Sequence, residues 1–175
     1  MNSGATINVL NDKFIINAPK NTLYVSEFMN SLPIGILNKK NTGCGATSVA
    51  LENFDNTIIC CPSKLMIMNK VQQYPNMKSN YILLGVLEGI YERDILQYVS
   101  ECFEKNQPIK IMVTYDSFHK VKKALKEAIC NYKIIIDQYQ EILDGITYRS
   151  KAILRLLNDV SDLPLITYLS ATPIP

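Results

Sequence analysis

The sequence predicts an α/β domain built on a mostly parallel central sheet, and three observations carry that expectation. Five short apolar runs, rich in β-branched residues, lie between stretches with helical periodicity. The runs show little polar alternation, as strands do when helices cover both of their faces. A glycine-rich turn, Asn41 to Ser48, opens one of the helical stretches, as expected of strand–turn–helix units.

The elements follow in order along the chain. Residues 7–17 read as two short strands around an Asn11-Asp12 turn, so residues 1–30 form an N-terminal extension or hairpin beside the domain. Residues 31–175 form the domain itself. A helix is expected from Thr47 to Asn53, directly after the glycine turn. The first apolar run, Thr57–Cys61, ends at Pro62, and Ser63 N-caps a helix to Gln73. Tyr81–Leu84 is the second run. A helix from Tyr91 to Lys105 places Ile95, Val99 and Phe103 on one face. Ile109–Thr114 is the third run. A helix from Asp116 to Cys130 carries Val121, Leu125 and Ile129 at four-residue spacing. Tyr132–Ile136 is the fourth run, Tyr148–Leu157 the last helix, and Leu165–Leu169 the fifth run. Ligands of such sheets bind at the carboxyl ends of the strands.

Composition narrows the function classes. The chain has 175 residues, long enough to bury a good core as one domain. Its hydrophobic fraction of 47% and charged fraction of 19% are those of an ordinary globular protein. No apolar run reaches membrane-spanning length, and the N-terminus lacks the basic start and apolar centre of a signal peptide. No membrane partner and a cytoplasmic location are therefore the expectations. The five cysteines form no Cys-x-x-Cys pair and there is one histidine, which argues against a zinc site. A net charge of +2 does not announce nucleic-acid binding.

The glycine turn holds the chemistry-bearing signal. Thr42, Gly43, Cys44, Gly45, Ala46, Thr47 and Ser48 read as a phosphate-binding loop without its lysine. Closely spaced glycines let backbone N–H groups wrap phosphate oxygens, a lysine reaches the terminal phosphates, and a Ser or Thr holds Mg²⁺. Ala46 stands where the lysine belongs. A tight turn with no ligand is the alternative reading of the same residues.

Three further loops fall at strand ends: Cys61-Pro62-Ser63-Lys64-Leu65, the stretch from Lys133 to Gln140 around Asp137 and Gln138, and Leu169-Ser170-Ala171-Thr172-Pro173. Taken in order with the glycine loop, they resemble motifs I, Ia, II and III of superfamily 2 helicases of the DEAD/DEAH-box class. Val113–Phe118 is similar to the segment those proteins carry before motif II. The resemblance covers roughly residues 33–175, one N-terminal RecA-like domain with a three-layer P-loop NTPase fold. It implies that ATP lies on Thr42–Ser48 and that Thr47 and Asp137 hold Mg²⁺. It implies catalysis by Asp137 with position 138, coupling through Ser170, Ala171 and Thr172, and DNA or RNA contacts from Pro62, Ser63, Lys64 and Thr114. It also implies a second RecA-like lobe or a larger assembly.

The departures from that pattern set a second expectation. Ala46 replaces the lysine, Gln138 the catalytic glutamate and Gln140 the final acid or histidine of motif II. Glutamine orients water but is not a useful general base. Losing a cation and a carboxylate, each worth roughly 3–4 kcal/mol in a preorganised site, leaves ATP and Mg²⁺ binding weak or absent and hydrolysis negligible. Lys39 and Lys40 lie just upstream as candidate substitutes for the charge. The alternative function is a nucleotide-independent scaffold or docking domain that keeps the fold.

Overall fold

The computed structural model describes residues 5–10, 13–74, 81–145 and 150–171. β1 (Thr6–Leu10) and β2 (Lys13–Asn17) pair antiparallel in a small sheet of their own. There follow β3 (Gly35–Asn38), α1 (Ala46–Glu52), β4 (Thr57–Cys61), α2 (Lys64–Gln73) and β5 (Leu83–Val86). The chain continues through α3 (Glu92–Glu104), β6 (Lys110–Thr114), α4 (Phe118–Leu125) and β7 (Lys133–Asp137). α5 (Gln140–Gly145), α6 (Ser150–Val160) and β8 (Ile166–Ser170) complete it. Strands β3 to β8 form one sheet in the order β3-β8-β7-β4-β6-β5, with every neighbouring pair parallel.

The central strands serve two cores at once. Ile58, Cys60, Ile111, Val113, Ile134 and Ile136 pack with Ile95 and Tyr98 of α3, Val121 of α4 and Leu156 of α6. The alternate residues Ile59, Cys61, Met112 and Ile135 meet Val49 and Leu51 of α1 and Ile67 of α2. Burial on both faces is why these runs lack polar alternation. The expected α/β class, with a mostly parallel sheet flanked by helices, is what the chain adopts.

Three local expectations are corrected. β3 was not among the apolar runs, because an edge strand of four residues with Ile36 exposed and Gly35 at φ 103° carries little pattern. The single helix expected over 116–130 is broken. Tyr115–Ser117 is a 3₁₀ turn, α4 ends at Leu125, and Lys126, at φ 49°, starts a 3₁₀ stretch to Asn131. Val121, Leu125 and Ile129 are all buried, so their spacing marks the inner face and not the break. On α3 the buried residues are Ile95, Tyr98 and Cys102, whereas Phe103 is 71% exposed. Eight residues at 3.6 per turn carry Phe103 about 80° away from Ile95. The last expected helix begins at Ser150; Tyr148 lies outside the described residues.

β5 is held close to α2 because Gly85 has no side chain. A Cβ there would stand 2.9 Å from Cγ2 of both Ile67 and Val71. Gly85→Ala is therefore expected to cost about 1–3 kcal/mol through overpacking, read as a lower melting temperature. An unchanged melting temperature would mean that α2 moves freely on the sheet.

The amino edge of the sheet fixes the far end of α1. Lys110 and Lys133 sit in register on either side of Thr57. The fully buried Lys110 donates through Nζ to Ala50 O (2.8 Å), Asn53 Oδ1 (2.8 Å) and Asp55 O (2.6 Å). Burial pulls its pKa down to about 7. Lys133 pairs with Asp55 at 2.9 Å and donates to Ser31 Oγ, which in turn donates to Asp55 at 2.8 Å. Burial pushes the Asp55 carboxyl up, but its bonds to Lys133 and Ser31 outweigh that and hold it below its ordinary value. The turn from α1 into β4 is thus clamped by two lysines from adjoining strands.

Candidate functional site

The glycine turn joins β3 to α1. Gly43 and Gly45 have φ of 70° and 78°, a region that glycine enters without a steric penalty. The Val25 N–H donates to Cys44 O at 2.8 Å, and the Tyr24 ring lies against Gly45. An open cavity of about 530 Å³ lies beside the turn, lined by Leu23, Lys40, Asn41, Thr42, Gly43, Cys44 and Ala171. Ala46 is buried.

The parallel topology brings the strand-end residues to one edge. Thr47 Oγ1 donates to Asp137 Oδ2 at 3.3 Å, and Lys39 Nζ lies 3.7 Å from Asp137 Oδ1. The Gln138 N–H donates to Asp137 Oδ1 at 3.0 Å, with Gln138 itself at φ 57°. Asp137 is buried and its carboxylate oxygens are taken up by these neighbours. Ser170 Oγ donates to Gln140 Oε1 at 2.8 Å, and Ser170 O accepts from the Lys39 N–H at 2.8 Å. Ala171 lines the cavity, and Thr172 lies outside the described residues. The sequence offered Lys39, with Lys40, as a candidate substitute for the missing loop charge; its pairing with a residue 98 positions away has no local signal. Tyr115 is a second residue the motifs missed. Its hydroxyl donates to the backbone oxygens of Asp137 and of Gln138, the latter at 3.2 Å. Burial first, then the neighbouring thiol of Cys60 and the Asp137 carboxylate, push its pKa up and keep it a donor.

Pro62, Ser63, Lys64 and Thr114 also come together, in a groove about 500 Å³ in volume at the carboxyl ends of β4 and β6. Ser63 caps α2, its Oγ accepting from the Met66 N–H at 3.3 Å. The groove is not a basic track, because Glu88 and Asp116 line it together with Lys64 and Lys120. Lys64 pairs with Glu88 at 3.0 Å. Among the described residues no group of three or more His, Cys, Asp or Glu stands where it could hold a metal ion. Among the same residues no helix is long and apolar enough to cross a membrane.

Residues 72–145 match the carboxypeptidase activation peptide family. The match spans 74 of 175 residues, less than half of the chain. No curated protein matches the chain. In the fold, the matched segment contains β5, α3, β6, α4, β7 and α5, while β4, which lies between β6 and β7, is outside it.

The match overturns the helicase resemblance. The family that the centre of the chain fits is an activation peptide and not a superfamily 2 motor lobe with degenerate Walker motifs. A DNA or RNA partner is likewise unsupported, and the mixed charge of the Pro62–Thr114 groove gives it no electrostatic footing. The layered sheet does not carry the narrower P-loop NTPase assignment, because many functions share such layers.

Proposed function

We propose that this chain is a nucleotide-independent docking domain that covers a protein surface with α3, and that a carboxypeptidase catalytic domain is its partner. The match of residues 72–145 to an activation peptide carries this reading. α3 lies inside that segment and presents an apolar arc wider than the sheet covers. Ile95, Tyr98 and Cys102 face the core, Val99 is half-buried, and Leu96 and Phe103 stand 49% and 71% exposed, two turns apart on the outer side. Aromatic and aliphatic anchors of this kind dominate protein interfaces once desolvated. The polar edge around Asp137 fits the same reading, since Lys39 and Thr47 are engaged with that carboxylate.

The test is calorimetric titration of the chain into a purified carboxypeptidase catalytic domain, with peptidase activity followed in parallel. Binding accompanied by inhibition is expected. Leu96→Glu and Phe103→Glu are each expected to weaken it roughly thirtyfold, as for a hot-spot residue. ATP with Mg²⁺ is expected to leave the melting temperature unchanged, whereas a ligand at a hundred times its dissociation constant adds about 2.7 kcal/mol. Absence of binding at concentrations of roughly 100 μM, or binding untouched by both α3 variants, would sink the docking reading.

A further inference from the structure

We infer that residues 23–33 form a latched strap, one stiff segment that holds the glycine turn at one end and the amino edge of the sheet at the other, so that release of either end loosens both. The strap packs with α1 in the core on the opposite face of the sheet from α3, so this goes beyond the docking reading and stands without it. Its upper end is bound to the turn itself. The Val25 N–H donates to Cys44 O at 2.8 Å, the Tyr24 ring rests on Gly45, and Leu23 lines the cavity beside Cys44. Its lower end is bound to the knot around Lys133. Ser31 Oγ donates to Asp55 Oδ2 at 2.8 Å and accepts from Lys133, and Asn30 O accepts from Asn53 Nδ2 at 3.3 Å.

Between its ends the segment is stiff. Glu27 Oε1 accepts from the N–H groups of Leu23 and Tyr24 at 2.8 and 2.7 Å, and the N–H groups of Phe28 and Met29 donate to Val25 O at 3.2 and 2.9 Å. Phe28, Met29 and Leu32 are buried, and Leu32 packs in one core with Val49 and Leu51 of α1. Apolar burial in the middle acts as a pivot, while each end is held by a few polar contacts. A segment built this way opens as a unit, at a free energy below that of global unfolding. The strap therefore governs α1 from both sides, through the glycine turn before it and the Asn53–Asp55 turn after it. The chain also supplies a handle. β1 and β2 form a sheet of their own, and none of their residues belongs to either core among the described residues. Pro19 O accepts from both the N–H and the hydroxyl of Thr22, a turn that joins the hairpin to the strap. Whatever engages the hairpin thereby acts on the glycine turn and its cavity.

The test reads the rate at which N-ethylmaleimide labels Cys44 in the full chain, with the labelled thiols identified by mass spectrometry. The background is Cys130→Ser, because Cys130 is exposed whereas Cys60, Cys61 and Cys102 are buried. Val25→Pro removes the donor at the upper end. Val25 opens its 3₁₀ turn, and Tyr24, at φ −122° and ψ 145°, already has the backbone that a residue before proline adopts. Ser31→Ala and Asp55→Asn loosen the lower end. Each of the three is expected to speed the labelling of Cys44 about fivefold or more, while the three buried thiols stay unlabelled. The strap requires an upper and a lower variant both to act. Acceleration by Val25→Pro alone, or by the lower variants alone, would show two independent ends and overturn it. Rates equal to the background in all three variants would do the same, as would labelling of Cys60 and Cys61 in step with Cys44, the mark of global unfolding.

Discussion

Lys110→Met is expected to lower the stability of the chain by about 2–4 kcal/mol. The ammonium gives its three protons to Ala50 O, Asn53 Oδ1 and Asp55 O at the C-terminal end of α1. Methionine fills much of the volume but takes the donor from Ala50 O, while Asn53 Oδ1 keeps the Asp55 N–H at 3.1 Å and Asp55 O keeps the Thr57 hydroxyl at 3.1 Å; a lost donor costs about 1–3 kcal/mol, offset in part by the desolvation of the charge that is removed. For a chain of this size the melting temperature is expected to fall by about 10 °C. Stability should also respond to pH with a definite sign. Burial holds the folded pKa at about 7, below the value of an unfolded lysine, about 10.4. Between those values the unfolded chain binds a proton that the folded chain has released, so this group makes stability rise with pH. Buried thiols and phenols such as Cys60 and Tyr132, raised by burial, act in the opposite direction at alkaline pH. The readout is therefore the difference between the two proteins in urea denaturation from about pH 7 to 9. Parallel curves for native and Lys110→Met proteins would show that the buried amine keeps its proton throughout.

Asp137→Ala is expected to cost about 2–4 kcal/mol, although it removes few atoms. The carboxylate accepts from Thr47 Oγ1 and the Gln138 N–H and faces Lys39, whose side chain is 14% exposed. Without it a largely buried ammonium loses its counter-charge, and the left-handed Gln138 loses the bond that holds it. A double-mutant cycle with Lys39→Met should give a coupling of about 1 kcal/mol or more, since the two residues share one network. Additive effects, or a cost below about 0.5 kcal/mol, would mean that the edge is not tied through this residue.

Convergence of Thr47, Asp137 and Ser170 at one edge was legible from the order of the elements, and the same fact shows why the motif resemblance misled. In any parallel α/β sheet the loops after the strands emerge on one side, so residues from distant segments meet there whatever the chemistry. Small residues, an acid and hydroxyls at those ends satisfy the turns and caps of the fold itself. Ser63 is such a cap, and Asp137 holds the turn at Gln138. The exposure of Phe103 on α3 was missed for a different reason. The helical period marks which residues are apolar, and the neighbouring sheet sets how wide an arc of them is covered.

The amino-acid order was sufficient for properties that depend on near neighbours in the chain. β-Branched runs without polar alternation specify strands buried on both faces, and β4, β6 and β7 lie within one residue of the expected segments. Ser63 specifies the start of α2, and the glycines at 43 and 45 permit the left-handed turn into α1. Contacts between distant residues followed a different rule. Lys110 reaches Ala50 across 60 positions and Lys39 reaches Asp137 across 98, and neither lysine differs in the sequence from a solvated one. What makes each of them a structural partner is the desolvation imposed by the packed sheet, which leaves a charge no alternative but the oxygens placed beside it.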